Sequence, residues 1–160
     1  MITKKDVTEQ NTTDKLEKIL EGIHPEDIDQ YFQKNGEHLY VDDSSFAEYM
    51  RSMFKLKDCR QQDVFLKADI PERYGYKIIS GQKRTKQRDT ILRICYAAGF
   101  TLEETQQALK IYRMPVLYAK IPRDALLMIC FNEHKGGIIE VNEFLHKNGM
   151  DTLRSSGVQD

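Results

Sequence analysis

The amino-acid sequence predicts an all-α fold, and three observations predict it. Apolar residues recur at helical spacing along most of the chain, at i, i+3, i+4 and i+7 rather than at every second position. Helix-start signals (Ser, Thr or Pro ahead of acidic residues) and helix-stop signals (Gly, Asn-Gly) fall between those periodic runs. No repeat, low-complexity tract or strand-like alternation interrupts them. With 160 residues, 40% of them hydrophobic, the chain is long enough for one compact domain with a small appendage.

In chain order, Asp14 to Gly22 sets Leu16, Ile19, Leu20 and Ile23 at helical spacing, after about a dozen polar residues expected to be mobile. His24-Pro25-Glu26-Asp27 reads as the start of a second helix with proline in its first turn, apolar at Ile28, Tyr31 and Phe32 and ending near Asn35-Gly36. Ser45-Phe46-Ala47-Glu48 has the form of a capping box, followed by a stripe of Phe46, Tyr49, Met50, Met53 and Phe54. The next helix, about 61 to 68, turns Val64, Phe65 and Ala68 inward, and another runs from about Pro71 to Ser80, where Gly81 stops it as a left-handed cap. Arg88 to Ala98 sets Ile91, Ile94, Cys95 and Ala98 on one side before Gly99. Thr101-Leu102-Glu103-Glu104 then caps a helix to about Tyr112 that buries Leu102, Leu109 and Tyr112.

Met114 to Pro122 is a connector. The apolar run Ala125 to Phe131 fits a strand or a buried helix by periodicity alone, and Pro122-Arg123-Asp124 before it with Gly136-Gly137 after it decide for helix. Ile138 to Lys147 carries Ile138, Val141, Phe144 and Leu145 inward and ends at Asn148-Gly149. The expected organisation is an acidic N-terminal arm with two short helices (1–43), a core (44–113) and a C-terminal helical extension packed on it (114–153).

The formal net charge of -1 hides a strong asymmetry. Residues 1–50 carry 5 Lys/Arg against 12 Asp/Glu, residues 51–93 carry 12 against 5, and residues 94–160 carry 7 against 8. The longest apolar run is far below the roughly 18 residues of a membrane span, and the first residues, with Lys4, Lys5 and Asp6, do not form a signal peptide. A cytosolic protein without a membrane partner is expected. Cys59, Cys95 and Cys130 are far apart and lack a CxxC spacing or paired histidines, so they are expected as reduced packing residues, with neither disulfide nor zinc.

The stretch from Arg60 to Gln82 reads as a helix-turn-helix: a short helix, a break at Asp69-Ile70-Pro71, and a second short helix ending in Ser80-Gly81. Basic residues follow at Lys83, Arg84, Lys86 and Arg88. Such a layout suits a second helix in the major groove of DNA and a cationic loop on phosphates, and the +7 excess of residues 51–93 coincides with it.

On these residues the chain resembles the lambda-repressor-like, or XRE, family of helix-turn-helix DNA-binding proteins, over about Ser45 to Tyr112. Gln61 falls at the family's glutamine opening the second helix, and Ser80-Gly81 at its Ser-Gly stop. Through Tyr74-Gly75-Tyr76-Lys77-Ile78-Ile79-Ser80-Gly81 and Thr101-Leu102-Glu103-Glu104-Thr105 it is also similar to uncharacterised XRE-like regulators of gut Firmicutes. The resemblance implies a lambda-repressor-like five-helix core and a bacterial transcriptional regulator specific for double-stranded DNA. It implies base reading by Glu72, Arg73 and Lys77. It implies backbone contacts by Gln61, by Gln82, Lys83, Arg84, Thr85 and Lys86, and by Tyr76 at the edge of the surface. Family members commonly bind inverted half-sites as dimers, which implies a homodimer here.

Three positions depart from the family pattern. Phe65 stands where a small residue is usual, Gly75 where an aliphatic one is usual, and Asp69 at the turn glycine. The first two are expected to compensate, the ring filling the space that the missing side chain leaves.

Other functional classes find less in the residues. Glu103/Glu104 and Glu140/Glu143 are paired carboxylates that helical spacing and capping explain. His134 and His146 have no partners at metal spacing, and no GxxxxGK[ST] motif is present, so neither enzyme activity nor a cofactor is expected. A protein-binding adaptor that keeps the helix-turn-helix shape is the alternative. Its partner surfaces would be the C-terminal helices 123–147 or the acidic N-terminal region, where Glu17, Glu21, Glu26, Asp27 and Asp29 either compete with DNA for the basic face, dock a partner, or simply lie solvated.

Overall fold

The computed structural model of the chain describes residues 4–35 and 44–155, and among them the only regular elements are helices. The chain divides into two compact units, residues 1–41 and 42–160.

In the first unit, helix α1 spans Lys4–Glu21, a 3-10 turn covers Pro25–Asp27, and α2 spans Ile28–Asn35. The stretch expected to be mobile ahead of Asp14 is thus helical from Lys4 onward. On α2 Tyr31 is buried, Ile28 is half-buried and Phe32 is exposed, its ring tilted 60° to that of Tyr31. Glu17, Glu21, Glu26, Asp27 and Asp29 are all exposed. The expected stop at Gly36 lies outside the described residues.

The second unit is built of α3 (Ser44–Leu56), α4 (Gln61–Ala68), α5 (Glu72–Ser80), α6 (Arg88–Ala97), α7 (Leu102–Ile111), α8 (Pro122–Glu133) and α9 (Ile138–Lys147). Helix α3 is already helical at Ser44, one residue ahead of the Ser45 expected to cap it, and Phe46, Met50, Met53 and Phe54 are buried as its periodicity requires. Helix α6 is the axis of the unit. Every residue from Thr90 to Tyr96 is buried because α6 packs on α4, α7 and α9. The sequence pattern showed only its apolar side, and the rest of its circumference is covered by Arg93 and Tyr96 lying against other elements.

Two ion pairs fix α8 to this axis. Arg88 makes a bidentate pair with the fully buried Asp124 in the first turn of α8 (3.1 and 2.5 Å), and Arg123 makes one with Asp89 (3.1 and 2.9 Å). Each guanidinium donates to both oxygens of a carboxylate, which offsets the desolvation of burial. The connector after α7 is anchored by Gln106, whose amide donates to the Leu117 carbonyl and accepts from its N–H, both at 2.8 Å. Helix α8 stops at Glu133, before the expected glycines, with His134 itself in the left-handed region (φ 51°) and its ring stacked 4.4 Å from that of Tyr96. Of the cysteines, Cys95 is buried and Cys59 and Cys130 half-buried, all as free thiols, and burial pushes the Cys95 and Cys130 thiols up.

Candidate nucleic-acid interface

Helices α4 and α5 are joined by three residues. The turn begins at Asp69, whose φ of 54° and ψ of 50° place it in the left-handed region, so the aspartate adopts the conformation that a turn glycine would take. Its N–H donates back to the Leu66 and Phe65 carbonyls, Ile70 donates to Phe65 (3.0 Å), and the buried Ile70 side chain seals the corner. Pro71 then opens α5 without needing an amide partner.

Where the two helices cross, Phe65 and Gly75 do compensate. A Cβ on Gly75 would lie 2.5 Å from Phe65 Cδ1, so the ring occupies the space of the side chain that position 75 lacks. Both residues are buried, and Tyr76 meets the Phe65 ring edge-on at 5.1 Å and 85°.

The opposite face of α5 is open. At 3.6 residues per turn, Glu72, Tyr76, Ser80, Arg73 and Lys77 follow one another around an arc of about 140°. All are exposed except Lys77, which is half-buried, whereas Gly75, Ile78 and Ile79 point into the core. The three residues expected to read bases therefore share one outward face. Arg73 and Lys77 form no ion pair with a described residue. From Arg73 to Arg88 the sequence contains six basic residues and no acidic one, leaving Glu72 as the carboxylate of this face.

The loop after α5 is tighter than its composition suggested. Gly81 (φ 83°) caps the helix, Lys83 N–H donates to the Lys77 carbonyl (3.1 Å), and Lys83 Nζ lies 5.1 Å from the centre of the Tyr74 ring. Gln82, Lys83, Arg84 and Lys86 are exposed, and Gln61 is half-exposed at the first position of α4. Thr85 is the correction. It is 1% exposed, its N–H donates to the Tyr112 hydroxyl (2.8 Å) and its hydroxyl accepts from the Gln87 N–H (3.0 Å), so it ties the loop to the end of α7 and offers nothing to a phosphate. Arg84 is also engaged: its guanidinium lies 4.3 Å from the Tyr112 ring centre and donates to the Tyr112 carbonyl. An uncharged threonine within a basic loop gave no sequence signal of this, because the partner lies 27 residues away.

Not all of the basic excess belongs to this face. Lys57 pairs with Glu104, Arg60 with Asp63 and Arg88 with Asp124, while Arg93 is buried under three carbonyls. Of the twelve basic residues in 51–93, Arg73, Lys77, Lys83, Arg84 and Lys86 cluster on α5 and its following loop.

One carboxylate of each pair has a structural duty. Glu104 accepts from the Thr101 N–H (2.9 Å) in a full capping box, and Glu140 accepts from the Gly137 N–H (2.8 Å). No group of three or more His, Cys, Asp or Glu among the described residues is placed to hold a metal, and no described helix is long and apolar enough to cross a membrane.

Fold and face together define an all-helical protein in which α5 and the loop after it present a cation-rich face. The chain matches no protein-family model, no curated protein and no solved structure.

Proposed function

We propose that the protein is a sequence-specific double-stranded DNA-binding regulator of XRE type, in which α3 to α7 act as a lambda-repressor-like core and α5 enters the major groove. The observation that carries the reading is the division of α5 into a fully packed side and an outward arc holding Glu72, Arg73 and Lys77. Arginine and lysine donate to guanine O6 and N7, and a carboxylate accepts from cytosine N4. Lys83, Lys86, Gln82 and Gln61 would hold phosphates and set register, with Arg84 adding its charge from a fixed position and Tyr76 at the groove wall.

In vitro selection of DNA with the purified protein at two salt concentrations, with the mass measured in solution, tests the reading. An enriched motif is expected, with affinity that falls as salt rises because bound phosphates release counterions. Arg73→Ala is expected to cost about 1 to 3 kcal/mol on the selected site and to relax one base preference. Lys83→Ala should weaken all sequences alike and flatten the salt slope by about one. Fluorescence anisotropy unchanged in both variants would refute this placement.

A protein-binding adaptor is the second reading. It is favoured by the apolar residues that the C-terminal extension leaves exposed, Tyr118, Ile121 and Ile129. Weak, salt-sensitive binding without an enriched motif would select it.

A further inference from the structure

The crossing of α4 and α5 does more than fill space. The Phe65 ring is wholly buried and approaches the α5 backbone so closely that no side chain fits at position 75. The same ring forms the wall against which Tyr76 packs, edge to face, at 5.1 Å. Rings in cores are held at crystal-like density, so the wall is fixed and the Tyr76 ring, with only two torsions of its own, is fixed with it. Tyr76 is nevertheless 41% exposed, and it lies inside the outward arc, flanked by Glu72 on one side and by Ser80 and Arg73 on the other. A rigid apolar plate thus stands between the exposed charged side chains of Glu72 and Arg73.

In the major groove, hydrogen-bonding edges suit those charged neighbours, but only one group suits an aromatic plate, the 5-methyl of thymine. Resting on the reading of α5 as a groove-binding helix, we propose that Tyr76 is a base-reading residue that packs on a thymine methyl, and that Phe65 and Gly75 are the positioning pair that aims it.

The test replaces each thymine of the selected site in turn by deoxyuridine, which removes the methyl and keeps every hydrogen-bonding atom. At one position the wild-type protein should bind about fourfold more weakly, the factor corresponding to one buried methyl. Tyr76→Phe should keep this discrimination, and Tyr76→Ala should lose it. Phe65→Leu, its fold checked by circular dichroism, should lose it while retaining salt-dependent affinity. Equal binding of thymine and uracil sites by the wild type, or undiminished discrimination by Tyr76→Ala, overturns the proposal. So does loss of the discrimination in Tyr76→Phe, which would make the hydroxyl rather than the ring the discriminating group. Full discrimination in folded Phe65→Leu overturns the positioning role. These failures leave an enriched motif and the Arg73 and Lys83 effects in place, whereas the absence of any motif removes the underlying reading and this proposal together.

Discussion

Gly75 sits in a helix interior, where glycine is about 1 kcal/mol worse than alanine for reasons of chain entropy. Alanine is nonetheless the poorer residue here, since its Cβ would meet three carbons of the Phe65 ring at 2.5 to 2.7 Å, and that ring is sealed on every side. Overpacking of a dense core costs about 1 to 3 kcal/mol, more than the helix propensity returns. Gly75→Ala should therefore lower stability by up to about 2 kcal/mol in urea denaturation, and combining it with Phe65→Leu should recover much of the loss. Additive losses would show that the two positions do not share one volume. The departures at 65 and 75 are legible from sequence as a compensating pair, because volume conservation is a local rule. Tyr76 as the third member was not legible, because its contact depends on the angle at which the helices cross.

At the scale of the element, α7 shows how a helix start can be joined to its neighbour. The Glu104 carboxylate accepts from the Thr101 N–H and pairs with Lys57 at 2.8 Å, while the Glu104 carbonyl accepts from the Tyr49 hydroxyl of α3 at 2.9 Å. Burial alone would raise the Glu104 pKa, but the Lys57 ammonium and the Thr101 backbone reverse it and hold the carboxyl below its ordinary value of 4.5. Because the folded value is depressed, the stabilisation is complete above 4.5 and is lost as pH falls through the lower folded value. Glu104→Gln should cost about 1 kcal/mol at neutral pH, by analogy with a lost cap. The gap between the variant and wild type in chemical denaturation should close on acidification below 4.5 and not above it. A gap that stays constant into acid would mean that packing rather than charge holds this corner. The capping signature at Thr101 announced the cap; the reach to Lys57 and Tyr49 did not follow from it.

Across the second unit, Arg93 is the piece that joins distant parts of the chain. From the middle of α6 its guanidinium donates to the Ala68 carbonyl at the end of α4 (3.0 Å), and to the Leu153 (2.7 Å) and Arg154 (2.9 Å) carbonyls beyond α9. Burial pulls its pKa below the ordinary guanidinium value, opposed by the carboxylates of Asp69 and Asp89. The C-terminal segment is strapped down at further points: Leu153 is buried, its N–H donates to Asn142, and the Asp151 and Thr152 carbonyls accept from Arg123. The strap therefore ends beside the turn that launches α5. Arg93→Met keeps the volume and removes the donors, leaving buried carbonyls unsatisfied at about 1 to 3 kcal/mol each. With the Ala68 and Leu153 carbonyls in buried bonds, a total loss of about 2 to 6 kcal/mol is expected in thermal or urea unfolding, and a loss below 1 kcal/mol would mean that water replaces the guanidinium.

Helix positions in residues 44–155, the inward residues of α3, α4, α7 and α9 and the stops at Gly81 and Gly99 follow from the sequence by itself. They rest on periodicity, capping and backbone preference, which act within one or two turns of chain. Which charges remain for a partner was decided only by the tertiary structure. Arg88, Arg93 and Thr85 look like members of the basic surface in sequence, yet their partners Asp124, Leu153 and Tyr112 lie 36, 60 and 27 residues away. Local pattern carries no information about such pairs, because an ion pair or a buried hydrogen bond forms only when separate helices are brought together by burial of their apolar faces.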